Sequence, residues 1–255
     1  TLNSSSVTII NNAPNKPTLI TPTEGNFTGH DRSTFFDWNS TDIDGTNLTY
    51  YLNITFDSTL ACGADIFTTI ENNISNYTAN YDFCVDEMIY WQVRAFDGIE
   101  NSSWSDLWNF TIESFISLNL TNNTIDFGSI NILESKNTDD DILTPFILEN
   151  NGNVLVNISS IGANGSLFST FGLNTIYFQF KADNTSTEDD AFNVTDSTTS
   201  WTNMTDVDVA NISIIKYLDY NDTKDNAEID IKVTIPSDES PGSKKATIYI
   251  IGEQS

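Results

Sequence analysis

The residues of this chain best suited to chemistry are asparagines that precede a serine or threonine by two positions. The triplet Asn-x-Ser/Thr, with any residue except proline in the middle, is the acceptor signal for N-linked glycosylation, and the chain contains eighteen copies. The 31 Asn and the 58 Ser or Thr among 255 residues would give roughly seven triplets in random order. This excess predicts covalent N-glycans. The acceptors are Asn3, Asn26, Asn39, Asn47, Asn53, Asn73, Asn76, Asn101, Asn109, Asn119, Asn122, Asn157, Asn164, Asn184, Asn193, Asn203, Asn211 and Asn221.

In eleven of these triplets the middle residue is apolar. Side chains of a strand alternate between its two faces, so Asn and Thr point one way and the middle residue points the other. In NLTYYLNITF, residues 47–56, every second residue from Leu48 to Phe56 is then expected to face a core. The pattern predicts that the wet faces of sheets, and not only loops, carry sugar. The middle residues are Phe27, Leu48, Ile54, Ile74, Tyr77, Phe110, Leu120, Ile158, Val194, Met204 and Ile212.

Catalytic chemistry has little support in the sequence. A serine or cysteine hydrolase needs a base beside its nucleophile, and the single histidine, His30, lies in the turn-like GHD. No glycine-rich phosphate loop or dinucleotide fingerprint is present. With 36 acidic residues, closeness of two carboxylates does not identify a glycosidase pair. We therefore predict no catalytic residues.

Calcium binding is a second kind of chemistry that the acidic loops allow. Ca²⁺ takes about six to eight oxygen ligands, and STDIDGTN offers Asp42 and Asp44, whereas DYNDTKDNAE offers Asp219 and Asp222. The TDDD segment, with aspartates at 139–141, adds a third group. None has the twelve-residue EF-hand spacing, and Asp-Gly before a strand is also ordinary turn chemistry. Both interpretations stay open, and no other cofactor is expected.

The net charge of −26 and the sequence pI near 4.1 exclude two classes of partner. Residues 1–113 carry −12 and the remainder −14, so the acidity is global. Nucleic acid and anionic membrane surfaces both require clustered Lys and Arg. No apolar run approaches the ~20 residues that span a bilayer. The chain opens without a signal peptide, which indicates a mature or excised form of an exported protein.

Cys62 and Cys84 are the two cysteines of the chain. In an exported protein such a pair is expected to form a disulfide, whereas in the cytosol it would remain as two thiols. A closed zinc site is not expected, because it takes about four ligands. The glycosylation signals favour the exported compartment and hence the disulfide.

Short strand-like runs recur between Asn, Asp, Gly, Pro and Ser, a pattern typical of an all-β protein built from tandem β-sandwiches. Within residues 13–113, the stretches FFDWNSTDIDGTNLTYYLNI, YWQVRAFDG and WSDLWNFTI resemble a fibronectin type III-like module of archaeal and bacterial surface proteins. The resemblance implies a two-sheet Greek-key sandwich that acts as a spacer, adhesive or binding module and has no catalytic residues.

The remainder, residues 114–255, contains IDFGSI, LENNGNVLVNIS and IPSDESPGSKKATIYI, which resemble Ig-like modules of exported surface proteins. We expect a second β-sandwich there, with 183–208 as its least regular part. The run EIDIKVTI predicts a strand with Ile229 to Ile235 alternating inward and Asp230, Lys232 and Thr234 outward.

Residues 1–12 predict a short additional strand or linker. It could end a preceding domain, pair within this chain, or extend the sheet of a neighbouring molecule. Donation to a neighbour would give a head-to-tail contact that propagates into a filament. Glycosylation triplets are absent from 124–156 and 222–252, so those ranges are expected either to form contacts or to be buried within the fold.

These patterns together predict a non-enzymatic, heavily N-glycosylated extracellular structural protein, a subunit of a cell-surface filament, sheath or surface layer. Its expected partners are copies of itself or neighbouring surface proteins. The alternative is an adhesin or carbohydrate-binding module of a larger surface protein. A third hypothesis is an accessory portion of a secreted hydrolase. Fold alone does not choose among these functions.

Overall fold

The structure is a computed structural model that describes residues 10–27, 30–45, 47–57, 65–139, 142–207 and 214–255. Within these ranges the regular elements are strands, apart from a single 3-10 turn at Val194–Asp196, which confirms the all-β fold class. No helix in the same ranges is long and apolar enough to cross a membrane. The chain divides into unit 1, Thr1–Ser114, and unit 2, Phe115–Ser255.

The described part of unit 1 contains eight strands: β1 (Thr18–Thr21), β2 (Asn26–Phe27), β3 (Phe35–Asn39), β4 (Thr49–Phe56), β5 (Ile66–Ile70), β6 (Asn76–Thr78), β7 (Met88–Phe96) and β8 (Trp108–Thr111). They form a three-stranded sheet of order β1-β3-β6 and a five-stranded sheet of order β2-β8-β7-β4-β5. The chain changes sheet five times, between β1 and β2, β2 and β3, β3 and β4, β5 and β6, and β6 and β7. This order is that of a Greek-key sandwich and confirms the expected fibronectin type III-like or Ig-like fold.

Alternation of side chains builds the core of unit 1. On β4 every second residue from Tyr50 to Phe56 is buried and the residues between are half-exposed. At the centre Phe36 is fully buried. Its ring meets those of Phe83, Trp91 and Phe110 edge-on, with centroids 6.0, 5.1 and 5.8 Å apart. Because β3 and β7 lie in different sheets, these contacts join the two layers.

The segment before β1 is held to unit 1 by polar contacts. Asn11 Nδ2 donates to Asp97 Oδ2 at 2.9 Å, and the backbone N–H of Asn12 donates to Asp44 Oδ2 at 2.6 Å. Asn15 N donates to the carbonyl of Thr41 at 2.9 Å. The predicted strand itself lies almost entirely in residues 1–9, outside the described ranges.

The described part of unit 2 contains ten strands: β9 (Leu118–Asn122), β10 (Ser135–Asn137), β11 (Phe146–Asn150), β12 (Val156–Ala163), β13 (Phe178–Asn184), β14 (Thr202–Asn203), β15 (Thr205–Asp206), β16 (Ile215–Leu218), β17 (Asn226–Thr234) and β18 (Ile248–Gln254). One sheet has the order β14-β13-β17-β11-β9, with β10 also paired to β17. In the other, β12 pairs with β18 along one edge and with β15 and β16 along the other. The inner faces enclose a second core, centred on Phe180, Ile158 and Ile229.

Two long connections of unit 2 meet at one buried carboxylate, that of Glu239. It accepts hydrogen bonds from Ser169 N at 2.9 Å, Ser169 Oγ at 2.8 Å and Thr170 Oγ1 at 2.9 Å, and it forms an ion pair with Lys244. The ammonium of Lys244 lowers the pKa of Glu239, and the hydrogen bonds from Ser169 and Thr170 lower it further. Together they outweigh burial, which would raise it, and the pKa is about 2. The carboxylate therefore ties the β12–β13 connection to the β17–β18 connection.

The adjacent residues Phe35 and Phe36 give a matched test of the sandwich. Phe36→Ala should lower the free energy of unfolding of unit 1 by about 3 to 5 kcal/mol, because it empties the centre of the core. Phe35→Ala, at a position 46% exposed on the opposite face, should cost less than about 1 kcal/mol. Chemical denaturation followed by tryptophan fluorescence measures both, since four of the five tryptophans lie in unit 1. Equal losses in the two variants would contradict the inward placement of Phe36.

Candidate functional site

The candidate site is the outer face of the five-stranded sheet of unit 1, which carries two glycosylation triplets. Asn53 and Thr55 stand on β4 with the fully buried Ile54 between them. Asn109 stands on β8 and is followed by Phe110, which is 1% exposed. Each triplet thus sends its middle residue into the core and its asparagine toward solvent, as the alternation predicts.

Strand register brings these acceptors into ordered rows across the face. Tyr90 on β7 lies opposite Thr55 on one side and Asn109 on the other. In the next row Asn53 lies opposite Phe67 of β5. Residues directly opposite each other on one face of a sheet have Cβ atoms about 4.5 to 5.5 Å apart, so each acceptor has an aromatic ring as a close neighbour.

Five side chains on this face form what we term the aromatic group: Tyr51, Phe67, Arg94, Phe96 and Trp104. The rings of Tyr51 and Phe67 are stacked, with centroids 5.8 Å apart and planes 16° from parallel. The Arg94 guanidinium lies over both Tyr51 and Trp104, 4.9 Å from each centroid. Phe67 is 58% exposed, so the group presents an open aromatic ring supported by an arginine held through cation–π contacts.

Serine side chains place Trp104 over the sheet. Ser102 N donates to the carbonyl of Ala95 and Ser105 N to that of Val93, both at 2.8 Å. In return the N–H groups of Ala95 and Val93 donate to the hydroxyls of Ser102 and Ser105, at 2.9 and 3.0 Å. The segment therefore follows β7 as an irregular strand, and Trp104 between the two serines lies on the outer face. The sequence analysis did not identify this group. The feature of the sequence that indicates it is Tyr51, a large aromatic residue at an outward position of β4.

The other acceptors follow the same rule across both units. Sixteen of the eighteen lie in the described ranges and none of the sixteen is buried; Asn3 and Asn211 lie outside them. By contrast, Asn150 and Asn153, which are not in triplets, are buried.

The apolar middle residues follow the prediction in most cases. Ile74 and Val194 depart from it, at 49% and 41% exposed, because one lies in a turn and the other in the 3-10 segment, where faces do not alternate. Ile212 and the side chain of Phe27 are outside the described part of the chain. Buried or half-buried as expected are Leu48, Ile54, Tyr77, Phe110, Leu120, Ile158 and Met204.

Three acceptors already use the amide nitrogen to which a glycan would attach. Asn122 Nδ2 donates to the carbonyls of Thr144 at 3.2 Å and Pro145 at 2.5 Å. Asn119 and Asn193 each donate to a carboxylate instead. Because Asn122 joins β9 to the chain before β11 through two bonds, its modification in the folded protein would break a structural contact.

The carboxylates suggested as calcium ligands take part in turns. Asp42 Oδ1 accepts the N–H of Asp44 at 2.9 Å, and Asp44 in turn holds the N-terminal segment. Asp219 Oδ1 accepts the N–H groups of Tyr220 and Asn221 at 2.7 and 3.2 Å, and Asp222 lies exposed in the same turn. These contacts are those of ordinary turn chemistry, and calcium binding at either loop stays a prediction.

A partly buried charge cluster lies on the outer face of the β13–β17 sheet. The sequence analysis named only one of its members, Asp139 of the TDDD segment, as a candidate calcium ligand. Asp139, Asp183 and Asp230 form the one group of three potential metal ligands found within the described ranges. The ammonium of Lys181 lies among them, 2.5, 2.6 and 3.7 Å from their oxygens. Trp201 covers the cluster, with its ring centroid 5.7 Å from Lys181 Nζ. The lysine therefore provides the positive charge that a metal ion would otherwise supply.

Electrostatics in this cluster follow from burial and pairing. Burial alone would lower the pKa of Lys181, but hydrogen bonds to Asp139 and Asp183 raise it. Burial raises the pKa of Asp230, although Thr138 Oγ1 donates to it at 2.6 Å. The expectation that Asp230 points away from the core is correct, but its side chain is buried beneath Lys181 and the 138–139 segment rather than solvated.

A second group of acids surrounds Asp225 at the start of β17. Asn226 donates through its backbone N–H and its Nδ2 to Glu188, at 2.9 and 2.7 Å, and Nδ2 also donates to Asp225 at 2.8 Å. Burial, together with the negative charges of Glu188, Glu149 and Asp222, raises the pKa of Asp225 to about 6.

Cys84 is disulfide-bonded in the structure. Cys62, its predicted partner, lies in the 58–64 segment outside the described ranges, so the Cys62–Cys84 pairing stays a prediction.

Comparisons with known proteins add little to these observations. No protein-family model matches the chain, and no curated protein matches it. Among solved structures, the FN1–FN3 domains of chicken CNTN1 align with 93% of this chain and 66% of that one, at 13% sequence identity and a TM-score of 0.32. The chain thus spans just under two thirds of that protein. The fold assignment rests on the strand order within each unit.

The charge cluster predicts unequal effects for two lysines beside the same tryptophan. Lys181→Met should reduce the free energy of unfolding of unit 2 by about 3 kcal/mol or more, because it leaves Asp230 buried without its cation. Lys232→Met should cost less than about 1 kcal/mol, since Lys232 is only half-buried and also lies 5.7 Å from the Trp201 ring. Denaturation followed by circular dichroism measures both; a tolerated Lys181→Met would refute the role of Lys181.

The raised pKa of Asp225 predicts that Asp225→Asn increases the free energy of unfolding by an amount that depends on pH. The folded state keeps a proton on Asp225 that the unfolded chain releases, so this group adds stability as the pH falls from about 6 to about 4. At pH 7 Asp225→Asn should therefore unfold with a free energy about 1 to 2 kcal/mol higher than the parent, and the difference should vanish near pH 4. The exposed Asp238→Asn is the control. A gain that is independent of pH would be inconsistent with this assignment.

Proposed function

We propose that this protein is a non-enzymatic, heavily N-glycosylated structural protein of the cell exterior, forming part of a filament, sheath or surface layer. The observation that carries the proposal is the placement of the acceptors: none of the sixteen in the described ranges is buried. On β4 and β8 the middle residues of the triplets, Ile54 and Phe110, are also buried in the core. The sequence thus serves folding and sugar attachment with the same residues.

Fold and charge support the same proposal. Tandem β-sandwiches are typical of extracellular spacer and adhesion modules, and a net charge of −26 keeps a secreted surface hydrated. His30, the one candidate base, is exposed and its Nδ1 lies 3.4 Å from the backbone carbonyl of Glu113.

Self-association through β18 is the part of the proposal that concerns partners. In the described ranges β18 pairs with β12 alone and leaves its other edge unpaired. Tyr249 and Ile251 on this strand are 44% and 46% exposed, and the range 222–252 has no glycosylation triplet. An unpaired edge on a strand that has no triplet of its own can accept a strand from another chain. The proposed donor is the N-terminal strand of a neighbouring subunit.

Glycopeptide mapping of protein from its native source tests the glycosylation. We expect sugar on most exposed acceptors and a bare Asn122, whose amide nitrogen is bonded to two carbonyls. Asn119, three residues earlier on β9, is the matched comparison, because its Nδ2 makes one exposed bond to a carboxylate instead of two bonds to backbone carbonyls. Recovery of the acceptor peptides only in the unmodified form would overturn the proposal. Electron microscopy of the same sample tests assembly, where monodisperse single particles would refute the filament or layer.

The second candidate function is an adhesin or carbohydrate-binding module. The observation that favours it is the aromatic group, because an exposed ring such as Phe67 can stack on the face of a sugar. Saturable binding of free oligosaccharide by the deglycosylated protein, lost in Phe67→Ala, would favour this function over the structural one.

A further inference from the structure

The position of Asn53 relative to Phe67 suggests a specific role for the aromatic group. Asn53 is directly opposite Phe67 in the register of β4 and β5, and both side chains project from the outer face. A sugar attached to Asn53 Nδ2 therefore leaves the sheet within a few ångströms of the phenyl ring.

The phenyl ring of Phe67 is fixed as well as exposed. Tyr51 stacks against it at 5.8 Å and Trp104 meets it edge-on at 6.5 Å. Arg94 in turn lies over both supporting rings. Because the ring is already fixed, a ligand that binds it does not have to order it, and binding loses less conformational entropy.

Phe67 lies on the edge strand β5 and is 58% exposed, so its ring is open to a ligand that packs on the outer face. A pyranose has one face made mostly of C–H groups, and placing that face on a phenyl ring removes apolar surface of both from water. The hydroxyls at the rim of the sugar stay solvated. Carbohydrate is thus a ligand whose chemistry fits an exposed ring that lies next to a glycan acceptor.

We propose that the glycan on Asn53 packs its first sugar onto Phe67, so that the aromatic group is a docking platform for the chain's own carbohydrate. This inference rests on the glycosylation in the proposed function. Attachment holds the sugar next to the ring at a high effective concentration, which favours it over free oligosaccharide. The platform would fix the direction in which the glycan leaves the sheet and cover part of β4 and β5.

A double-mutant cycle on the glycosylated protein tests this contact. The parent, Phe67→Ala, Thr55→Ala and the double variant are compared, because Thr55→Ala removes the acceptor signal while leaving Asn53 in place. Phe67→Ala changes the unfolding equilibrium constant of unit 1 by some factor. We expect that factor to be at least about three times larger when the glycan is present than when it is absent. NMR of the glycosylated parent should also show ring protons of the first sugar shifted upfield, and Phe67→Ala should remove that shift.

A parallel cycle at Asn76 is the control, since Asn76 on β6 lies opposite Asp37 rather than an aromatic ring. Thr78→Ala combined with Phe67→Ala should be additive. Additivity at Asn53 with its glycan present would overturn the platform and leave the proposed function standing, and so would a bare Asn53 in a chain glycosylated elsewhere. A chain without any glycan would overturn both. If the Asn53 cycle is additive and free oligosaccharide still binds at Phe67, the aromatic group binds sugar from another molecule and not the chain's own glycan.

Discussion

Alternation of side chains along a strand is the constraint on which the rest of this structure depends. A strand offers one face to a core and one to solvent, and a triplet of the form Asn-apolar-Thr on a strand places its middle residue on the first face and its Asn and Thr on the second. On β4 the same eight residues supply four buried core side chains and an acceptor in the middle of a solvent face. Because the acceptor positions follow from the pleat, dense glycosylation signals do not conflict with a well-packed sandwich.

Much of unit 1 could be predicted from sequence because its strands alternate clearly. Alternation in FFDWN predicts Phe36 and Trp38 on one face and Asp37 and Asn39 on the other, and β3 has this arrangement. Alternation in MIYWQVRAF likewise predicts the inward residues of β7 from Ile89 to Ala95. Burial of large aromatic side chains dominates local propensity there, so periodicity alone is informative.

The missed features depend on pairs of strands that periodicity cannot bring together. Lys181 and Asp230 each occupy an outward position on its own strand, and only the β13–β17 register places them opposite each other. Their burial further depends on Trp201 and on the 138–139 segment. The support of Arg94 by Tyr51 and Trp104 similarly requires the serine-paired segment after β7. Register and loop path are long-range properties, and a single sequence does not specify them locally.

The contacts of Glu239 also have a consequence for proteolysis. Long connections between strands are the preferred places for proteolytic cleavage, because a protease must draw several residues of extended chain into its cleft. In unit 2 one carboxylate fastens Ser169 and Thr170 of one connection to Lys244 of another. Its pKa of about 2 keeps that fastening charged in any but the most acidic medium. We therefore expect resistance to digestion at these two connections to depend on a single buried side chain.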